Sequence, residues 1–211
     1  MREPKRYIIE DPRPIAKESP YTFYMPCEAR RMAVAPGDSV KIIFASPEED
    51  GMNERMWVKV TDTEGDTGMI GQLDNQPISL PMSVGEEVCF SRHNIIDIST
   101  NRTDDPEETC AQDDRVFHRC WVDARIWDDE EAPIKATNGH EQPADYSHPM
   151  FPWGGWMIVG ADWEEGMPLE IGTPAAILRR EPAMGPHILG NDEDGKVCVE
   201  KIDGEWRSCA A

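Results

Sequence analysis

From Gly37 to Asp97 the chain alternates apolar and polar residues in short runs broken by turn residues. In DSVKIIFAS, Val40, Ile42 and Phe44 alternate with Lys41 and Ile43, the pattern of a half-buried strand. In RMWVKVTD, Met56, Val58 and Val60 share one face while Trp57 and Lys59 take the other. EGDTG supplies a turn, MIGQLDN returns as the partner strand, and PMSVGEEVCFSRHNIID adds a turn at Gly85 and a further strand. A second run, RVFHRCWVDARIW, places Val116, His118, Cys120, Val122, Ala124 and Ile126 on an expected core face. Phe117, Arg119, Trp121, Asp123, Arg125 and Trp127 then form a partly exposed face. GGWMIVGADW predicts a buried strand, PAAILRR a short helix or strand, and KVCVEKIDGEW a terminal hairpin or strand pair.

The segments between these runs set the organisation. Residues 1–26 contain Pro4, Pro12, Pro14, Pro20 and Pro26, which predicts a mostly extended arm with RYIIE pairing as an edge strand. CEARRMAV predicts a short helix that APGD stops. TNRTDDPEETCAQDD has no periodicity and reads as a linker or long loop, and residues 128–154 are proline-rich and loop-like. The expected class is a strand-dominated α+β protein. An extended proline-rich arm (1–26) precedes a β module (27–100), a small, strongly bent antiparallel sheet or SH3-like barrel; an acidic linker or loop (101–115) then leads to a second β-rich module (116–211).

Charge changes the picture of partners. Acidic residues outnumber basic ones by 41 to 21 among 211 residues, a net charge of -20. That balance opposes a nucleic-acid or anionic-membrane partner, because Lys and Arg supply most of the affinity for phosphates. It favours a basic protein partner. The imbalance is local: residues 1–31 hold seven basic and five acidic side chains, whereas residues 104–131 hold eleven acids against three arginines. Seven Trp and eighteen Pro argue for a folded chain with polar loops over a disordered one.

Catalytic chemistry finds little support. The sequence contains no nucleophile elbow, phosphate-binding loop or zinc-protease helix motif, so no catalytic residue and no cofactor is expected. NDEDG fails as a calcium loop, because Gly190 and Lys201 stand where oxygen ligands are needed; a turn at Asp194-Gly195 fits better. His118 with Cys120, and His140 with Asp145 and His148, lack the second close pair that would complete a zinc site, so no metal is expected. Cys27, Cys89, Cys110, Cys120, Cys198 and Cys209 include no C-x-x-C pair. With no signal peptide at MREPKRYIIE and no apolar run of membrane-spanning length, free thiols and a cytoplasmic location are the expectation.

The stretch PGDSVKIIFASPEEDGMNERMWVKVTDTEGDTGMIGQLDNQPISLPMSVGEEVCFSRHNIID resembles a bacterial group of domains of unknown function, the YegJ-like group. The matching pieces are GD before a strand, ERMWVKV, a short turn, GQLDNQP, VGEEV and a final IID, within residues 27–99. GGWMIVGADWEEG, GTPAAIL and GNDEDGKVCVE are similar to a domain associated with immunity proteins of polymorphic-toxin systems. The resemblances imply a bacterial β-rich scaffold and a toxin-neutralising setting, and assign no active site.

The aromatic stretch FPWGGWMIVGADW is the strongest binding feature. Trp156 reads as core, whereas Trp153 follows a proline in a loop and reads as a surface anchor beside glycines that admit another backbone. The expected function is non-enzymatic protein binding, with Asp128, Asp129, Glu130 and Glu131 meeting a basic toxin and Trp127 and Trp153 anchoring it. A small enzyme with a site assembled from distant residues, and an acidic mimic of nucleic acid, are the alternatives.

Overall fold

The computed structural model describes residues 6–48, 50–110, 113–128, 133–190 and 198–209, with Cys209 described in its backbone only. The turn expected at Asp194 and Gly195 lies outside these residues, as do Asp129, Glu130 and Glu131. The class is strand-dominated α+β, and the chain forms two compact units, Met1–Glu18 with Phe23–Ala111 and Ser19–Thr22 with Gln112–Ala211.

The N-terminal unit is a nearly closed antiparallel barrel. Strand β1 (Ile8–Ile9) pairs with the end of β2 (Ser39–Ala45), and β3 (Glu54–Glu64), β4 (Gly68–Leu73) and β5 (Glu87–Ser91) follow as successive neighbours. A short 3₁₀ turn, Arg92–Asn94, capped by Ser91, redirects the chain into β6 (Ile95–Ser99), which returns to β2. The period-two faces read from RMWVKV hold: Met56, Val58 and Val60 are buried with Val40, Ile42 and Phe44. Ile43 departs from the half-buried reading of β2. It is buried on the opposite face under Phe23 and Ile96, so the arm gives this strand a second covered side.

The arm is not extended throughout. Residues Arg13–Glu18 form helix α1, because the Asp11 carboxylate accepts the Arg13 backbone N–H (3.1 Å) and grips its guanidinium (2.6 Å). Pro14 is tolerated in this first turn, where backbone N–H groups have no helical acceptor. Helix α2 (Glu28–Ala33) lies where CEARRMAV predicted it. The irregular segment after β6 is strapped to α2 rather than hanging free: Arg30 pairs with Asp105 (2.6 Å) and Glu108 (3.2 Å).

The C-terminal unit is a six-stranded mixed sheet. RVFHRCWVDARIW is not one strand. Strand β7 (Arg119–Val122) is flanked by 3₁₀ turns at Asp114–Phe117 and Ala124–Trp127. Asp113 and Asp123 cap these turns by accepting the backbone N–H of Arg115 and Arg125, each at 3.0 Å, a local bond that competes with the strand ladder. The turns leave Val116, Cys120, Val122 and Ile126 in the core, but Ala124 is exposed and Asp123 is buried, the reverse of the expected faces.

Strand β8 (Ile134–Thr137) arises within the stretch read as loop, pairing with β9 (Trp153–Gly160). Strand β10 (Glu170–Gly172) ends the sheet beside β7, which is parallel to β9. PAAILRR is helix α3 (Pro174–Arg180), followed by α4 (Gly185–Leu189). The last strands, β11 (Cys198–Ile202) and β12 (Glu205–Cys209), form the expected hairpin. Its turn sits at Asp203 and Gly204, both with positive φ (52° and 83°), the backbone pair for which Asp-Gly is favoured.

Helices α3 and α4 supply Ile177, Leu178 and Ile188 to a core shared with Val122, Trp156 and Ile158. Trp156 is core, as its sequence context indicated, and truncating such a ring to Ala costs about 3–5 kcal/mol.

Candidate protein-binding surface

The core face of the C-terminal sheet is covered, so its surface chemistry lies on the opposite face and along the β10 edge. Trp121 faces Ile171 across β7 and β10, and Met157 across β7 and β9; paired residues share a face. Trp153 packs edge-on to Trp121 at 5.4 Å, and Tyr146 packs on Trp153 at 5.7 Å.

The polar atoms of these rings are also committed. The Trp153 indole N–H donates to the His140 carbonyl (2.9 Å), and the Trp121 indole N–H to the Glu141 carbonyl (3.3 Å). Trp153 therefore holds the 138–152 loop against the sheet and keeps only part of its ring at the surface. The glycines beside it serve the same packing. A Cβ on Gly154 would lie 2.9 Å from the His118 side chain, and one on Gly155 2.7 Å from Asn138, at a φ of 73° that favours glycine. The close approach foreseen at these glycines is made by the chain's own loop.

Trp127 is placed differently. It ends the second 3₁₀ turn, is 40% exposed, and donates its indole N–H to Glu170 at 2.7 Å. Glu170 begins the edge strand, and the next residue, Ile171, is 45% exposed. The short edge strand thus carries a partly exposed apolar side chain on each side, Trp127 against one and Ile171 on the other. The turn beneath Trp127 is firmly set. Asp123 is 1% exposed, chelates Arg125 (2.7 Å), and accepts the Gly160 backbone N–H (3.5 Å). The Arg125 hydrogen bond holds the Asp123 carboxyl below the usual range despite its burial.

Several of the acids between residues 104 and 131 are paired with arginines. Asp105 and Glu108 bind Arg30, Asp113 binds Arg115 and Asp123 binds Arg125. Asp128 is exposed next to Trp127, and Asp129, Glu130 and Glu131 lie outside the described residues. The sequence reading missed Glu170, which the Asp-x-Arg turn and the β10 pairing bring to Trp127, and Ile171, exposed on the strand's other side. It also missed the Asp-x-Arg signal itself, which recurs at Asp11, Asp113 and Asp123.

The remaining reactive side chains are dispersed. Cys120 is fully buried, and desolvation pushes its thiol up to about 12. His118 precedes β7 instead of sharing a strand face with it, His140 bonds Thr137 Oγ1 (2.7 Å), and His148 packs on Phe151. Among the described residues, no three His, Cys, Asp or Glu side chains come together as a metal site. Cys27, Cys89, Cys110 and Cys120 are free thiols, but Cys198 is disulfide-bonded, which corrects the expectation of free thiols throughout. Spacing along the chain does not reveal such a bond, because pairing depends on which segments the fold brings within reach. Among the described residues no helix is long and apolar enough to cross a membrane. No family model, curated protein or solved structure significantly matches the chain.

Proposed function

We propose that this protein is a non-enzymatic bacterial binding module that neutralises a toxin in an immunity-like manner, in the cytoplasm, by covering a basic surface on it. The observation that carries this reading is the β10 edge, where Trp127 stands partly exposed, oriented by Glu170 and followed by Asp128, with Ile171 exposed on the strand's other side. A rigid tryptophan flanked by apolar and acidic neighbours is the composition of an interface hot spot with a charged rim. Asp128 is the first of four consecutive acids, Asp128, Asp129, Glu130 and Glu131, that follow Trp127 in the sequence.

The charges and the ring have separate roles. A net charge of -20 steers a basic partner inward and raises the association rate. Burial of Trp127 and Ile171 slows dissociation. The resemblance of the C-terminal segment to immunity-associated domains supports the same setting.

Co-expression with the product of the adjacent reading frame tests the proposal. Wild-type protein should restore growth of cells made sick by that product and co-purify with it. Trp127→Ala should weaken the complex by about 2 kcal/mol, roughly thirtyfold in Kd. Full-strength binding by the variant would remove this edge from the interface. A neighbour that is harmless and forms no complex would overturn the immunity reading.

A further inference from the structure

We propose that a cleft in the C-terminal unit binds a small organic anion, a carboxylate carried on a planar ring. The cleft has a volume of about 300 Å³, the lower end of the range for small-molecule sites. Its polar lining is Arg119, Arg179, Thr22 and Thr173; its apolar lining is Phe117 and Phe151 with two alanines of α3. Among the described residues no carboxylate lines it, in a chain where acids outnumber bases by 41 to 21.

The arginines define this cleft. Other guanidinium groups of the chain are matched to carboxylates, as Arg30 is to Asp105 and Arg125 to Asp123, or to backbone carbonyls, as Arg180 is to Ile126. Among the described residues, neither Arg119 nor Arg179 has a carboxylate or carbonyl bonded to its guanidinium. Arg119 is instead held by its stack on Phe151, 4.6 Å from the ring centroid, and by its backbone N–H to Pro152 (2.8 Å). Both anchors leave its N–H fork unused. Arg179 is exposed on α3, and Thr173, directly before that helix, makes no capping bond with its hydroxyl.

Two guanidinium groups in one concavity repel each other, and an oxyanion accepting from both relieves that repulsion. The planar fork matches a carboxylate in two-point geometry. Phe117, 36% exposed, offers the apolar surface on which a ring bearing the carboxylate would lie. The size of the cleft suits one ring and its charged group, and the overall charge of -20 disfavours a polyanion.

The test uses the full chain with benzoate as probe, and acetate and inorganic phosphate as comparison anions, by titration calorimetry and ligand-observed NMR. Benzoate should bind saturably at one site, with acetate and phosphate at least about tenfold weaker. Arg179→Gln should weaken benzoate about tenfold or more, the loss of one charge-assisted contact, with no change in thermal midpoint because the side chain is exposed. Phe117→Ala should weaken benzoate and leave acetate unchanged. Absence of saturable benzoate binding, or equal binding by Arg179→Gln, would overturn the site. Phosphate binding as tightly as benzoate would overturn the requirement for a ring. Arg119→Gln is the second arm, and Arg179→Gln decides the matter should that half-buried position not tolerate change.

Discussion

Glu54 in the N-terminal unit and Glu170 in the C-terminal unit are the same residue type in a strongly acidic chain, yet they do opposite work. Glu54 is 8% exposed and its carboxylate accepts from the backbone of Ile78 (2.7 Å), Ser79 (2.9 Å) and Leu80 (2.9 Å) and from the Ser79 hydroxyl (3.0 Å). It fixes the long connection between β4 and β5, whose amides have no strand partner there. Glu108 is a second such acid, accepting from Tyr24 Oη (2.7 Å), the Cys27 amide (3.0 Å) and the Cys110 amide (2.8 Å). Glu170 is exposed and orients one tryptophan at a sheet edge. What separates the two classes is the number of donors that converge on the carboxylate. Net charge does not report that number, so the acids that matter for folding are hidden among those that matter for contact.

Removing the charge at Glu54 should give the largest effect. Glu54→Gln keeps the shape but turns an amide NH₂ toward donors, so buried groups lose their acceptor at a cost of about 3 kcal/mol. Urea unfolding of the variant against wild type measures this. A variant as stable as wild type would break the distinction between interior and surface acids.

Acid pH should expose the same distinction. Burial alone would raise the Glu54 and Glu108 carboxyls, but the convergent donors outweigh it and hold each at about 2, below the ordinary 4.5. A depressed folded-state value means the stabilisation is fully present above pH 4.5 and is lost as pH falls from there toward 2. Each group contributes up to about 3 kcal/mol over that window. The urea midpoint should therefore fall steeply across it, and less steeply in Glu54→Gln. An equal slope in the two proteins would show that the acid sensitivity arises elsewhere.

The sequence made the barrel legible because its faces follow simple alternation. Met56, Val58 and Val60 need no tertiary knowledge to be placed. It failed where a local polar bond overrides periodicity. Between residues 113 and 127 the apolar spacing fits a strand, but Asp113 and Asp123 close 3₁₀ turns that turn Ala124 outward and Asp123 inward. Strand β8 was hidden because four residues among prolines carry too little pattern, and only β9 and β11 give it a ladder. The aromatic stretch was recognised as important, but one ring of the pair Trp127 and Trp153 packs its own loop. Which ring does so depends on where the 138–152 segment returns.

The smallest expected effect lies at the surface end of the comparison. Asp128 is exposed and follows the capped turn, so Asp128→Asn should leave the unfolding free energy within about 0.5 kcal/mol of wild type. Its backbone N–H to the Arg125 carbonyl (3.1 Å) survives the change, and its side chain belongs to no ion pair among the described residues. If Asp128 steers a basic partner, the same variant should slow association at low salt and leave dissociation unchanged. The difference should fade as salt shortens the screening length from about 8 Å at physiological ionic strength toward about 3 Å at 1 M. Stopped-flow association with the co-purified partner reads the rate, and urea unfolding reads the stability. A large loss of stability would place Asp128 with Glu54 among the structural acids. An unchanged association rate at every salt concentration would leave it a solvated side chain, and Trp127 with Ile171 would then carry the interface alone.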